Sequence, residues 1–193
     1  MFRRKYEFKP DRPHSGTLNK LYITPKQRQQ FLKWFLMALT LLAVSLIQDV
    51  ILSRIPIYGA VTDVIGCAIL LCCIMQDPES GCVFGLASSC VYYFSGSAPG
   101  SYVIALLTCL GVLTSIFRQC YLRKGFSSTL LCMVGAMAIY ELALFVIGAF
   151  VGQVPLSRIR YFGITALTSL GAIPFLYPIF LAIGKIGGEL WKE

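Results

Sequence analysis

Charge is what this chain has least of. Only 13% of its 193 residues are Asp, Glu, Lys or Arg, about half the share of an ordinary soluble domain. Its one histidine, His14, lies in a polar N-terminal stretch, so the apolar body holds no imidazole to act as a base or a metal ligand. The eight cysteines (67, 72, 73, 82, 90, 109, 120 and 132) include no C-x-x-C pair, and nearly all sit in apolar runs, where free cysteine behaves as a small hydrophobe. No glycine-rich loop with a lysine opens a helix, which removes the usual phosphate cradle. The aspartates in the apolar body read LIQDV and AVTDV, without the G-x-G-D setting of intramembrane aspartyl proteolysis. Intramembrane serine hydrolysis lacks its histidine. With these constellations missing, the expectation is a non-enzyme with no cofactor and no metal.

What is present is hydrocarbon. Hydrophobic residues make up 56% of the chain, and its mean hydropathy is +0.71. Six apolar segments follow one another, roughly 32–52, 57–75, 81–95, 101–117, 127–150 and 162–183. A helical crossing needs about 20 such residues, so the expectation is an all-α integral membrane protein, a bundle of six transmembrane helices, with the third segment short for the task. Residues 1–30 read as a basic polar tail with too little apolar content for a core, largely disordered. Residues 31–185 form the membrane domain and 186–193 a short C-terminus. The tail is too long for the n-region of a signal peptide, and no small-residue cleavage site follows it. Thr24 reads as an N-cap and Pro25 as the first residue of a helix that runs directly into the first span, with Trp34 near the headgroups.

The net charge of +8 is unevenly spread. Nine of the 17 basic residues fall in the first 33 positions. With the N-terminus inside, that side also takes Arg118, Arg123, Lys124, Lys185 and Lys192, which leaves Arg54, Arg158 and Arg160 outside. This is the positive-inside pattern with both termini cytoplasmic, and a basic segment against an anionic leaflet explains the charge better than nucleic acid does.

Three acids interrupt the apolar segments, and each is costly in hydrocarbon. Asp49 and Asp63 lie near the outer ends of spans one and two, where they read as an interfacial polar cluster or as partners of Arg54. Glu141, after Tyr140, falls near the middle of span five with no basic residue in any span, and is expected to face the bundle interior. Gly81, Gly85 and Ser88 recur on one face of span three, and Gly148 and Gly152 form a G-x-x-x-G at the end of span five; such spacing lets helices approach. Pro174 and Pro178 should kink span six.

The stretch DPESGCVFGLASSCVYYFSGSAPGSYVIAL resembles the central signature of the rod shape-determining protein MreD family: a polar turn, a glycine-bearing span, a Ser/Gly turn and another span. Gly85, Ser95, Gly96 and Gly100 take the matching places. VTDVIG, with Asp63, is similar to the family's start of span two, and Glu141 in IYELALF to its acidic position in span five. The chain departs at Tyr92, where many members carry aspartate, and at Ser88, where glycine is common.

The resemblance covers about residues 31–185. It implies a non-enzymatic scaffold of bacterial cell elongation in the plasma membrane. The implied partners are an MreC-like bitopic protein, with MreB, RodA and a class B penicillin-binding protein nearby. It also implies a six-span fold similar to the substrate-binding component of energy-coupling-factor transporters. That likeness supplies the rival expectation, a vitamin binder with Tyr92, Tyr93 and Tyr102 stacking on its ligand. For the scaffold, the residues expected to make partner or packing contacts are Asp49, Asp63, Glu141, Gly85, Gly96, Gly100 and Tyr92.

Overall fold

The structure is a computed structural model. It describes residues 25–56, 58–121, 125–152 and 154–186. The expected tail up to Thr24, the basic pair Arg123 and Lys124, and the C-terminus with Lys192 lie outside the described residues. Among the described residues seven α-helices make up the fold: α1 (Pro25–Val50), α2 (Val64–Met75), α3 (Pro78–Phe94), α4 (Tyr102–Tyr121), α5 (Phe126–Phe150), α6 (Ile159–Leu170) and α7 (Ile173–Ile186). Among the described residues there is no strand. Three helical stretches are long and apolar enough to cross a membrane, Gln27–Arg54, Tyr102–Tyr121 and Phe126–Phe150; α6 and α7, bent by 47° at their junction, make a fourth if counted as one span.

The centre of the bundle is α2. Eleven of its twelve residues are buried, and it packs against α1, α3, α4, α5, α6 and α7. A helix that is apolar all round needs such an enclosure. At 1.5 Å per residue it is roughly 18 Å long, well short of a bilayer's hydrocarbon core of about 30 Å. The apolar segment expected from residue 57 therefore becomes helical only at Val64. Tyr58 and Gly59 both adopt left-handed backbone (φ 53° and 81°), which no right-handed helix can contain. Asp63 then caps the helix, accepting a hydrogen bond from the Gly66 amide (2.8 Å).

Close approach to α2 is bought with glycine. A Cβ at Gly85 of α3 would stand 2.8 Å from Cys73 Sγ, one at Gly111 of α4 2.9 Å from the same atom, and one at Gly81 3.1 Å from the Cys73 carbonyl. Gly81 and Gly85 thus face α2, joined on that face by buried Ser89 rather than Ser88, whose hydroxyl bonds back to Phe84 and Gly85 carbonyls. Gly148 packs against Val154 of the following loop, and Gly152 supplies a turn with φ 74°, so this G-x-x-x-G ends a helix rather than pairing two.

From α1 to α6 successive helices reverse direction, and α7 continues α6 past the 47° bend. Tyr92 at the end of α3 meets Asp63 at the start of α2. Arg118 near the end of α4 donates to the Ile74 carbonyl at the end of α2 (2.6 Å), and Ser115 to the Gln76 carbonyl (3.0 Å). Phe126 at the start of α5 packs edge-on against Tyr177 of α7, and Phe145 in its second half against Phe162 of α6. Arg118, read from sequence as an orienting surface charge, is therefore buried and closes the last turn of α2. The sixth apolar segment is broken after Leu170: Pro174 has no N–H and its ring would clash with that residue's carbonyl, so a new helix begins at Ile173. All eight cysteines are free thiols.

Candidate functional site

At the end of the bundle where α1 finishes and α2 begins, the helices splay around a cavity of about 570 Å³. Its floor is built from groups far apart in sequence. Asp63 caps α2, and its own amide donates to Ser169 Oγ of α6 (2.8 Å). The Tyr92 hydroxyl, from the last turn of α3, donates to Asp63 Oδ1 (3.1 Å). Gln48 Oε1 of α1 accepts from the Ile65 amide (2.8 Å), satisfying another open N–H of the first turn of α2. Glu141 enters from α5 and is 4% exposed.

Among the described residues, two buried side-chain atoms of residues that line this cavity have no hydrogen-bond partner, Glu141 Oε1 and Thr62 Oγ1. Buried polar atoms of this kind are rare, because the lost hydration is not repaid. The rim carries Arg158, at the start of α6, with Tyr161 and Ser97. Phe162 of α6 completes the apolar part of the wall.

The seven residues singled out from sequence do not form one site. Asp63, Tyr92 and Glu141 converge on the cavity. Asp49 does not line it; its carboxylate accepts from Ser97, which pins the 95–101 loop to the end of α1, and from Ser45 (3.5 Å). The partners these two aspartates take are hydroxyls and a backbone amide, where Arg54 had been the candidate. Gly96 turns the 95–101 loop with φ 79°, and Gly100 lies against the Tyr102 ring. Gly85 is further down α3, against α2.

Of the three tyrosines expected to stack on a ligand, only Tyr92 reaches the cavity; Tyr93 packs against Phe94, ring centroids 5.6 Å apart. Compared with known protein families, curated proteins and solved structures, the chain finds no match. The cavity must be read from its own chemistry.

Sequence reasoning did not find Tyr161, Phe162, Thr165 and Ser169. They share α6 with an apolar pattern that reads as lipid-facing, and nothing local marks which side turns inward. Gln48, next to Asp49 in sequence, is the buried member of the pair. The arrangement places acids and hydroxyls at the floor, a cation at the rim and aromatic rings in the walls.

Proposed function

We propose that this chain is a non-enzymatic, MreD-like membrane scaffold of bacterial cell elongation, which helps to couple an MreC-like bitopic protein and MreB to peptidoglycan synthesis by RodA and a class B penicillin-binding protein. The observation that carries the reading is the meeting of two of the residues that bear the resemblance, Asp63 and Glu141. They line one cavity, Gly85 seats α3 on α2, and the Ser/Gly turn is latched by Ser97 to Asp49.

On this reading all six apolar segments cross the bacterial plasma membrane. The alternating direction of the helices suits that count, with α2 able to be short because protein rather than lipid surrounds it. Both termini are then cytoplasmic, and the cavity opens to the outer face. Apolar residues exposed along α1 and α5, such as Leu42, Leu46, Leu131 and Leu142, suit contact with lipid or with a partner's span.

One observation favours a second reading, a substrate-binding membrane component of an energy-coupling-factor transporter. The cavity lies within the usual size range of small-molecule sites, and helices supply the polar groups that the short loops lack. Affinity purification of the full chain from crosslinked membranes separates the two. Recovery of an MreC-like protein or a penicillin-binding protein supports the scaffold; recovery of ATP-binding-cassette subunits, or of a bound vitamin, sinks it.

A further inference from the structure

Glu141 belongs to two hollows at once. On one side it faces the polar cavity; on the other it lines a groove of about 330 Å³ between α5 and α6, whose remaining walls are apolar: Val134, Ala138, Leu142, Phe145, Ala166 and Leu167 among them. Phe162 is the only other residue common to both. The groove opens sideways, since Val134, Leu142, Ile159 and Leu167 are exposed large hydrophobics on the flank of the bundle. It is also roomy beside α6, where a Cβ built on Gly163 would meet no atom within 4 Å.

We propose that the two hollows form one site for an amphiphile: an aminophospholipid whose ammonium group sits between Glu141 and Asp63, whose phosphate meets Arg158 at the rim, and whose acyl chain lies in the α5–α6 groove. Two features speak for the ammonium and one for the acyl chain, while Arg158 at the rim suits the phosphate. The buried Oε1 of Glu141 and Oγ1 of Thr62 lack partners among the described residues, so the floor can take a donor from outside the chain. The floor carries two carboxyl groups and no basic side chain, which favours a cationic donor over a neutral one, and the aromatic walls of Tyr92 and Phe162 suit a cation as well. The lateral groove offers only hydrocarbon around Glu141, which a headgroup alone would leave unfilled and an acyl chain fills. The inference concerns the site itself and holds for whichever partner the bundle serves.

Native mass spectrometry of the full-length protein in detergent, titrated with dioleoyl phosphatidylethanolamine, dioleoyl phosphatidylglycerol and soluble phosphoethanolamine, tests it. The tails and phosphate are shared by the two lipids, and the amine by the first lipid and the soluble head. Phosphatidylethanolamine should bind about tenfold more tightly than phosphatidylglycerol, the worth of one good charge-assisted contact, and phosphoethanolamine only weakly.

Glu141→Gln should erase that preference. Gly163→Leu, which fills the groove where there is space and raises helix propensity, should weaken both lipids while leaving the thermal midpoint unchanged or higher. Equal binding of the two lipids by the unaltered protein would make the contact ordinary annular lipid and overturn the proposal. Phosphoethanolamine binding as tightly as the whole lipid would overturn it too, in favour of a small polar ligand.

Discussion

Tyr92 is one of two residues at which this chain departs from the family pattern it resembles, and the structure supplies a physical reason for the tyrosine. Its ring is buried, and its hydroxyl donates to the carboxyl group that caps α2. An aspartate at that place would set a second carboxyl against Asp63, whereas a phenol provides the donor that Asp63 accepts. Tyr92→Phe keeps the volume and removes the donor. A buried acceptor on a carboxyl group then goes short by one bond, which costs about 1.5–3 kcal/mol. The expected result is a lower thermal midpoint in detergent for Tyr92→Phe and an unchanged one for Tyr93→Phe, whose side chain lies outside the cavity. Equal midpoints for the two variants would show that the Asp63 contact carries no stability.

At the scale of elements, the fold turns on how close α3 and α4 come to a central helix of only twelve residues. Gly81, Gly85 and Gly111 all press on Cys73, Gly85 and Gly111 against its thiol and Gly81 against its backbone carbonyl. Gly85→Leu drives a side chain into Cys73 Sγ and is expected to destabilise the bundle by about 1–3 kcal/mol, the usual cost of overpacking. The clash is local, so Cys73→Ala should recover part of the loss when combined with Gly85→Leu, while costing stability alone. A double-mutant cycle on unfolding midpoints measures this coupling; purely additive effects would mean that the two positions do not touch.

The ends of α2 are closed by other helices as well. Gln48 and Asp63 serve its first amides, and Ser115 and Arg118 its last carbonyls. Arg118→Met leaves the Ile74 carbonyl short of a donor and should lower the midpoint by an amount matching about 1–3 kcal/mol. Arg118→Lys, still a donor but without the planar fork, should fall between the two.

For the whole molecule, orientation is the property most open to direct test. Cys120 is exposed near the end of α4, at the same end of the bundle as the start of α1. If the positive-inside pattern places that end in the cytoplasm, a membrane-impermeant maleimide should label Cys120 only after cells are permeabilised, and Cys72 and Cys73 only after the fold is opened. Labelling of Cys120 in intact cells would invert the topology and turn the cavity inward. A version of the chain with Cys82, Cys90 and Cys109 replaced by serine keeps the readout to the sites in question.

Helix content, the order of apolar segments and the charge asymmetry were legible along the chain, because each depends on composition within a window of about twenty residues. So was the inward-facing small-residue stretch around Gly85, since helical spacing puts those positions on one face. Less of the cavity was legible. Asp63 and Glu141 stand out as acids in hydrocarbon, but Tyr161, Phe162 and Ser169 look like any other residues of an apolar helix, and Arg118 looks like a surface charge.

That the chain carries several helices apolar enough to cross a membrane follows from the sequence by itself, because the apolar content of a stretch does not depend on which helix touches which. Only the tertiary structure decided that α2 is short and central, that Asp63, Tyr92 and Glu141 share a floor, and that Glu141 also looks into a lateral groove. Those facts depend on crossing angles and on the residues that meet across helices, which are set by contacts between positions far apart in the chain, 106 or more where Asp63 meets Ser169 and α1 meets α7, and leave no periodic trace along it.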